Sequence, residues 1–410
     1  MDATHEVVQL WRKSCGTVAN DADFHLCVGL FSLSETVLSG SHIIAVSEGG
    51  MTTKLHRQSL IAYGAPLVET IVDCPLPQRS EVLVRIERCG VCHSDLHMQD
   101  GYFRLAGDKK LDITSGRALP FTLGHEIAGV TESAGADVKD DAAAAPGRKV
   151  AVYPWIGCGA CAACLEGEEN LCAAPRHLGI TADGGYASHV LVPHPRYLLD
   201  YAPLSPALAG MLMCSGLTAY AALKRLKADA ARGPLLLVGL GGVGMMGMAL
   251  ARALFATAPL VADIDAGKRE AALQAGAAAA FDPADPTARK AVTAATGGVH
   301  GVCDFVGSES SLAFATGVLA KGGKVVVTGL IGGGWATPVA MFVLRAMTIE
   351  GVLTGTLAEA EELMALARAG HAPAVPIAER PLSEAQAALN DLRAGRVVGR
   401  AVLTPLTDDG

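Results

Sequence analysis

The stretch PLLLVGLGGVG, residues 234–244, decides the class of fold of this chain. It is a continuous apolar run that ends in glycines, and the helical segment MMGMALARALFATA (245–258) and a second apolar run, PLVADID (259–265), follow it. The same alternation continues to about residue 330. Strands that alternate with helices of this length form a parallel sheet covered by helices on both faces. The sequence therefore predicts an α/β fold with a doubly wound parallel sheet.

The glycines at the end of this strand predict a dinucleotide-binding turn. They have the G-x-G-x-x-G spacing between a strand and a helix, where backbone N–H groups approach a pyrophosphate and the helix dipole favours its charge. Asp263 ends the next strand and is expected to accept hydrogen bonds from the adenosine ribose. A surface carboxylate without such a role, or Asp265 in its place, are the alternatives. The turn residues expected to contact the cofactor are Gly239, Gly241, Gly242, Val243 and Gly244.

Length, charge and cysteine content narrow the class of protein. A chain of 410 residues fits two domains, each able to fold without disulfides. Eleven cysteines, an odd number, and the lack of a signal-peptide pattern predict the reducing cytoplasm. A formal net charge of −8 argues against a nucleic-acid partner, and we expect no membrane partner because no apolar run reaches about 20 residues. We therefore expect a cytoplasmic protein that acts on small molecules.

Four cysteines crowd the segment GCGACAACLEGEENLC, residues 157–172. They are separated by two, two and seven residues, a spacing that suits zinc closed by four thiolates. A closed site leaves no position for substrate, so this zinc is expected to be structural. A reactive dithiol and a group of buried unligated cysteines are the alternatives. The expected ligands are Cys158, Cys161, Cys164 and Cys172.

Three further segments, GVCHSDLH (90–97), LGHEIAG (123–129) and MCSGLTAY (213–220), are each ordinary alone. Together with the glycine turn and the cysteine cluster, they resemble the zinc-dependent medium-chain alcohol dehydrogenase family. The resemblance runs in the family's order from Met51 to about Arg400. It implies a Rossmann domain joined to a GroES-like, mostly-β catalytic domain, with the active site in the cleft between them.

The resemblance also assigns residues near the reacting alcohol. It implies a catalytic zinc held by Cys92, His125 and Cys214, the Cys₂His set of alcohol dehydrogenases, with a fourth position open. Asp95 and Glu126 match the family's acidic residues close to the metal. Ser94 and His97 match its proton relay, and an exposed loop histidine without such a role is the alternative for His97.

The implied reaction is the reversible NAD-linked oxidation of a primary or secondary alcohol to an aldehyde or ketone, through a zinc-bound alkoxide. The implied cofactors are two zinc ions per subunit and NAD. A zinc-free quinone or enone reductase of the same superfamily and a non-catalytic zinc and nucleotide sensor are the alternatives. Further cofactor contacts implied by the resemblance are His93, Thr218, Lys268 and Arg400.

The expected domain organisation has four parts. Residues 1–50 read as an N-terminal extension, disordered or preceding the true start; residues 51–213 form the GroES-like domain, 214–354 the Rossmann domain, and 355–410 complete the catalytic domain. The segment 102–120 is longer than compact members of the family require and is expected at the edge of the substrate pocket. The resemblance implies a homo-oligomer, a tetramer or alternatively a dimer, and the sequence does not identify the alcohol.

Overall fold

The computed structural model describes residues 53–405 and, before them, two short antiparallel strands, β1 (Leu38–Ser39) and β2 (His42–Ile43). Apart from these strands, the extension expected at residues 1–50 lies outside the described residues. The chain divides into a unit of residues 1–52 and a unit of residues 53–410. The second unit contains every expected site residue.

The described strands of the second unit form two large sheets and two small ones. In chain order they are β3 (Lys54–Leu60), β4 (Val68–Asp73), β5 (Val82–Gly90), β6 (Tyr102–Arg104), β7 (Lys110–Asp112), β8 (Phe121–Thr122), β9 (Glu126–Ala134), β10 (Lys149–Val152), β11 (His189–Val192), β12 (Leu198–Asp200), β13 (Leu236–Val238), β14 (Leu260–Ala262), β15 (Ala279–Phe281), β16 (Val299–Asp304), β17 (Leu319–Val327), β18 (Thr348–Gly351), β19 (Ile377–Pro381) and β20 (Arg400–Thr404).

The helices of the same unit cover the sheets and connect the parallel strands. In chain order they are α1 (His93–Asp100), α2 (Ala162–Leu165), α3 (Pro206–Met211), α4 (Leu217–Arg225), α5 (Lys227–Ala230), α6 (Gly242–Leu254), α7 (Ala266–Gln274), α8 (Ala288–Thr296), α9 (Glu309–Val318), α10 (Val339–Arg345), α11 (Leu357–Leu366) and α12 (Ala385–Arg393).

The predicted doubly wound sheet is confirmed. Its six strands are all parallel and lie in the order β15-β14-β13-β16-β17-β18. Counted from the first of them, this is the order 3-2-1-4-5-6 of Rossmann folds, in which the dinucleotide lies where the strand order reverses. That position is at the carboxyl ends of β13 and β16, which pair through Val238 and Asp304.

The second large sheet is the mostly-β part and is largely antiparallel. Its strands lie in the order β12-β10-β9-β5-β20-β19, and β11 also pairs with β5. The C-terminal strand β20 lies between β5 and β19, so the chain returns from the parallel sheet to complete this one. The return brings Arg400, the first residue of β20, back beside β5 and β9. The exact domain boundaries stay predictions.

One described helix contradicts the expectation that no apolar segment is long enough to span a membrane. Helices α3 and α4 join through a π-helical turn, Leu212–Gly216, into one helix from Pro206 to Arg225 that is long and apolar enough by composition. However, 89% of its apolar window is buried within the protein, as in the core helix of a folded domain. Its apolar character therefore reflects burial on all sides.

Candidate active site and metal centres

A cavity of about 1160 Å³ lies between the mostly-β part and the parallel sheet. One part of its wall contains two expected zinc ligands, Cys92 and Cys214, and another part contains the glycine turn and Asp263. The remaining expected site residues on the wall are His93, Ser94, His97, Cys172, Thr218, Lys268 and Arg400. The structure therefore brings most of the expected site residues to one cleft.

The three expected ligands of the catalytic zinc come from three separate elements. Cys92 is the N-cap residue of α1, His125 directly precedes β9, and Cys214 lies in the π-helical turn between α3 and α4. All three are buried, and one ligand atom of each lies within 4.8 Å of the others. Two sulfurs and an imidazole nitrogen at this separation fit a tetrahedral zinc site with its fourth position free.

The Asp95 carboxylate contacts two of the three expected ligands, Cys92 and His125. Its Oδ2 accepts hydrogen bonds from the backbone N–H of Cys92 (2.9 Å) and from the Tyr186 hydroxyl (2.8 Å), and its Oδ1 lies 3.2 Å from Nδ1 of His125. A carboxylate on one ring nitrogen turns the other towards a metal. Both ring nitrogens of His125 are buried without a hydrogen bond among the described residues, and Nδ1 has the ion contact with Asp95, which leaves Nε2 for a metal ion.

The directions of the pKa shifts of the cluster residues also fit a cation bound between them. A hydrogen bond from the Cys214 thiol lowers the pKa of the Cys92 thiol well below its usual value, although burial opposes the shift. Burial alone would lower the pKa of His125, but the Asp95 carboxylate and the Cys92 sulfur outweigh it and raise that pKa. A metal ion would take the place of these protons, because thiolate and neutral imidazole are the forms that bind metal.

Glu126 and Arg400 form a buried ion pair beside the cluster. Arg400 Nη2 donates a hydrogen bond to Glu126 Oε2, and Arg400 also closely approaches the glycine turn, where a Cβ at Gly242 would lie 2.6 Å from its Cδ. Burial raises the pKa of the Glu126 carboxyl, against the lowering effect of Arg400. The arginine expected to contact the cofactor therefore also pairs with the buried acid next to the zinc ligands.

The two residues of the expected proton relay, Ser94 and His97, both lie on α1. Ser94 Oγ lies 3.7 Å from Cys92 Sγ, and the His97 ring packs 4.6 Å from the Phe103 ring. Burial lowers the pKa of His97 below its ordinary value, so the imidazole is neutral near pH 7 and able to accept a proton.

The glycine turn needs its glycines for two different reasons. Gly239 has φ +88°, a conformation that other residues rarely adopt, and a Cβ at Gly244 would lie 1.8 Å from the Gly239 carbonyl oxygen. Gly241 is the N-cap residue of α6, and a Cβ built on it would have no other atom within 4 Å, so the start of the helix faces open space. The turn is therefore a cradle at a helix N-terminus that fits a pyrophosphate.

The two candidate ribose acids have different surroundings. Asp263 lines the cavity, and its carboxylate accepts hydrogen bonds from the N–H groups of Leu240 (2.6 Å) and Asp265 (2.8 Å). Asp265 caps α7 by accepting a hydrogen bond from the N–H of Lys268 (2.8 Å), and it is exposed. The geometry favours Asp263 as the acid that faces a nucleotide.

The four clustered cysteines converge around one point. Their sulfurs lie within 4.8 Å of one another, with Cys161 at 3.5 Å from Cys164 and 3.7 Å from Cys172. The backbone N–H groups of Ala160 and Cys161 lower the pKa of the Cys158 thiol to about 6. Among the described residues no cysteine forms a disulfide. Four thiols with N–H groups directed at sulfur fit a closed tetrahedral zinc site.

Several cavity residues were not predicted from the sequence. The Trp155 ring lies 5.5 Å from His125 and 5.4 Å from His177, whose buried imidazole has its pKa lowered by burial to about 4. The segment 102–120 supplies part of the wall, as expected for the edge of the pocket, through Phe103, Ile113, Ser115 and Arg117. A single apolar or basic residue in a loop carries no periodic signal, so only the unusual length of this segment marked it.

Comparison with known families agrees with this arrangement. Residues 78–202 match the alcohol dehydrogenase GroES-like domain, and residues 242–369 match the zinc-binding dehydrogenase domain. The first match contains Cys92, His125 and the cysteine cluster, and the second begins inside the glycine turn.

Similar proteins extend over most of the chain. A protein of Sulfurisphaera tokodaii named NAD-dependent alcohol dehydrogenase is 37% identical over 356 residues, 86% of this chain and 100% of its own length. One of the same name from Saccharolobus solfataricus is 37% identical over 349 residues, 84% of this chain and 99% of its own length. The crystal structure of the alcohol dehydrogenase of Aeropyrum pernix, with 30% identity, matches with a TM-score of 0.75 and covers 85% of this chain and 100% of its own. Relatives at this level over their whole length place the chain in the zinc-dependent medium-chain alcohol dehydrogenase family.

Proposed function

We propose that this protein catalyses the reversible oxidation of a primary or secondary alcohol to an aldehyde or ketone with NAD as the hydride acceptor. One observation carries the proposal: the same cavity contains the buried Cys92 and Cys214 thiols of a zinc site and the glycine turn of a dinucleotide site. The relatives named NAD-dependent alcohol dehydrogenase support it.

Cys92, His125 and Cys214 would hold the catalytic zinc, and Asp95 would keep the His125 ring in place through the 3.2 Å contact at Nδ1. When bound, zinc supplies Lewis-acid polarisation of the alcohol oxygen, which lowers the pKa of the alcohol. Ser94 and His97 would then carry the released proton away from the alcohol. His97 can accept this proton, because burial lowers the pKa of its imidazole and keeps the ring neutral near pH 7.

The coenzyme would be held by the parallel sheet. The N–H groups at the start of α6 would bind the pyrophosphate, and Asp263 would accept hydrogen bonds from the adenosine ribose. Thr218, Lys268, His93 and Arg400 line the same cavity and would complete the coenzyme site.

A NAD-reduction assay over aliphatic, allylic and benzylic alcohols tests this function. Removal of zinc by a chelator and the variant Cys92→Ser should each lower turnover at least about 1000-fold, because both remove the Lewis acid. Cys74→Ser removes a thiol that lies outside the cavity and should keep wild-type activity. If Cys92→Ser retains more than a tenth of the activity, or if the protein reduces enones and oxidises no alcohol, the proposal is wrong.

We also propose that the protein is a cytoplasmic homo-oligomer, a tetramer or alternatively a dimer. None of the nine cysteines that the structure describes forms a disulfide, an arrangement that suits a reducing compartment. Helix α10 supports the assembly, because it has no buried residue and exposes Val339, Val343 and Leu344 shortly before the edge strand β18 in the chain. Exposed apolar surface of this kind is typical of an interface between copies.

A further inference from the structure

The segment between β7 and β8 places one cation, Arg117, on the wall of the substrate cavity. Its side chain donates from Nε to the Ile180 carbonyl (2.7 Å), from Nη1 to the Tyr63 hydroxyl (3.4 Å) and from Nη2 to the Met98 sulfur (3.2 Å). Met98 and Ile180 line the same cavity, so the guanidinium lies at its surface.

These three contacts do not neutralise the charge. The acceptors are a carbonyl, a hydroxyl and a thioether, and no carboxylate among the described residues forms an ion pair with Arg117. A guanidinium has five N–H groups, so two remain without a protein acceptor here. Among the described cavity-lining residues the only acid is Asp263, which belongs to the nucleotide end.

Aromatic rings hold the guanidinium in place. Its central carbon lies 5.0 Å from the centre of the Phe121 ring and 6.0 Å from that of Tyr63, and Phe121 is buried. Cation–π contacts and the hydrogen bond to Ile180 fix the plane of the group before any ligand arrives. A fixed, partly desolvated cation with free donors binds a carboxylate with little loss of conformational freedom.

We propose that Arg117 binds a carboxylate of the substrate, so that the enzyme oxidises hydroxy acids whose carboxylate lies away from the carbinol carbon. The proposal rests on the proposed function, since it concerns the substrate of the same site. A phosphate is less well matched, because it carries about two negative charges and this part of the wall offers one arginine. The carbinol carbon gives a hydride to NAD⁺ and its oxygen loses a proton, which yields NADH, H⁺ and an aldehyde or keto acid; the carboxylate is unchanged.

The test compares each ω-hydroxycarboxylate with its own amide, which has the same shape without the charge. Suitable pairs are 4-hydroxybutanoate, 6-hydroxyhexanoate and 8-hydroxyoctanoate with the corresponding hydroxyamides, assayed with NAD and the zinc-loaded protein. For the best length, wild-type kcat/KM should favour the carboxylate by about tenfold or more, the size of one charge-assisted hydrogen bond. The preference should decrease as salt is added.

Arg117→Met should bring this ratio close to one, and Arg117→Lys should give an intermediate ratio because it keeps the charge without the fork. Lys109→Met removes the same charge from an exposed position just before β7, outside the cavity, and it should leave the wild-type ratio unchanged.

A wild type that turns over the amides as well as the carboxylates at every length would overturn the role of Arg117 and leave the alcohol dehydrogenase function intact. An equal loss of preference in Lys109→Met would also overturn it, because the effect would then be one of general surface charge. If none of these compounds and no simple alcohol reduces NAD, the proposed function itself fails.

Discussion

Two carboxylates two positions apart, Asp263 and Asp265, show what a residue's surroundings add to its identity. The sequence leaves both as candidates for the ribose-binding acid. In the structure the buried Asp263 carboxylate accepts a hydrogen bond from the N–H of Leu240 in the glycine turn. The Asp265 carboxylate instead caps α7 by accepting a hydrogen bond from the N–H of Lys268. The same holds for His125, because only the structure shows that Asp95 contacts its Nδ1 and leaves Nε2 for a metal ion.

The coenzyme preference should depend on Asp263. The additional phosphate of NADP brings a charge of about −2 against this carboxylate, so the wild type should prefer NAD. Asp263→Gly should lower kcat/KM for NAD and narrow the ratio of NAD to NADP by at least about tenfold, because one repulsive charge and the ribose hydrogen bonds are lost. Steady-state kinetics with both coenzymes measure the ratio.

Asp265→Ala is the matched control for this prediction. It should keep the coenzyme ratio within about threefold while lowering the free energy of unfolding by about 1 kcal/mol, the usual cost of a lost N-cap. A wild type that prefers NADP, or a ratio controlled by Asp265, would show that the wrong acid has been assigned.

Among the elements, short irregular segments hold the metal-site residues more often than long regular ones. Cys214 lies in a π-helical turn within a buried helix, and such turns occur frequently at functional sites. The cysteine loop contains two short helical turns, α2 and a 3₁₀ turn at Glu169–Leu171. The carboxylate of Glu169 accepts hydrogen bonds from the N–H of Gly157 (3.0 Å) and the hydroxyl of Tyr197 (2.7 Å). Such a loop has little apolar core of its own, so its stability should depend on zinc.

Zinc content and stability should separate the two metal sites. The purified wild type should contain two zinc ions per chain. Cys161→Ser should lose one of them and lower the thermal midpoint by about 5 °C or more, because a closed structural site contributes to the free energy of folding. Cys92→Ser should also lose one zinc ion but abolish turnover with a smaller change in the thermal midpoint. Metal analysis and thermal unfolding check both variants, and a wild type with a single zinc ion would contradict the assignment of two sites.

The same elements show which features of the fold and of the site can be predicted from the sequence. The apolar run of β13, the glycines after it and the alternation up to β17 have periodic patterns, and the parallel sheet predicted from them is confirmed. The cavity wall formed by Trp155, His177 and Arg117 has no such pattern, because each residue comes from a loop whose path depends on tertiary contacts. The sequence therefore predicts the residues in motifs, and of the residues that shape the pocket it indicates only the segment 102–120.

In the molecule as a whole, the cleft forms because the chain builds the mostly-β sheet in two parts, one before and one after the parallel sheet. The mostly-β sheet begins before the parallel sheet and is completed after it by β20, which carries Arg400 back to Glu126 and the glycine turn. One buried ion pair thereby links residues from the first and last parts of the described chain to the coenzyme site. Among the described strands, the edge strand β18 of the parallel sheet pairs only with β17 and leaves its other side free.

This free edge should be where two copies meet. Helix α10 lies nearby along the chain and exposes 79% of Val339 and 78% of Val343, which is unfavourable for a monomer in water. Val343→Glu should therefore weaken association, and the mass measured by light scattering should decrease relative to the wild type, because burying an unpaired carboxylate in an interface is costly. Leu76→Glu makes the same change at a residue equally exposed, to 78%, but far along the chain from α10, and it should leave the mass unchanged. A monomeric wild type would show that the chain does not self-associate, and an equal decrease in Leu76→Glu would show that the interface does not depend on α10.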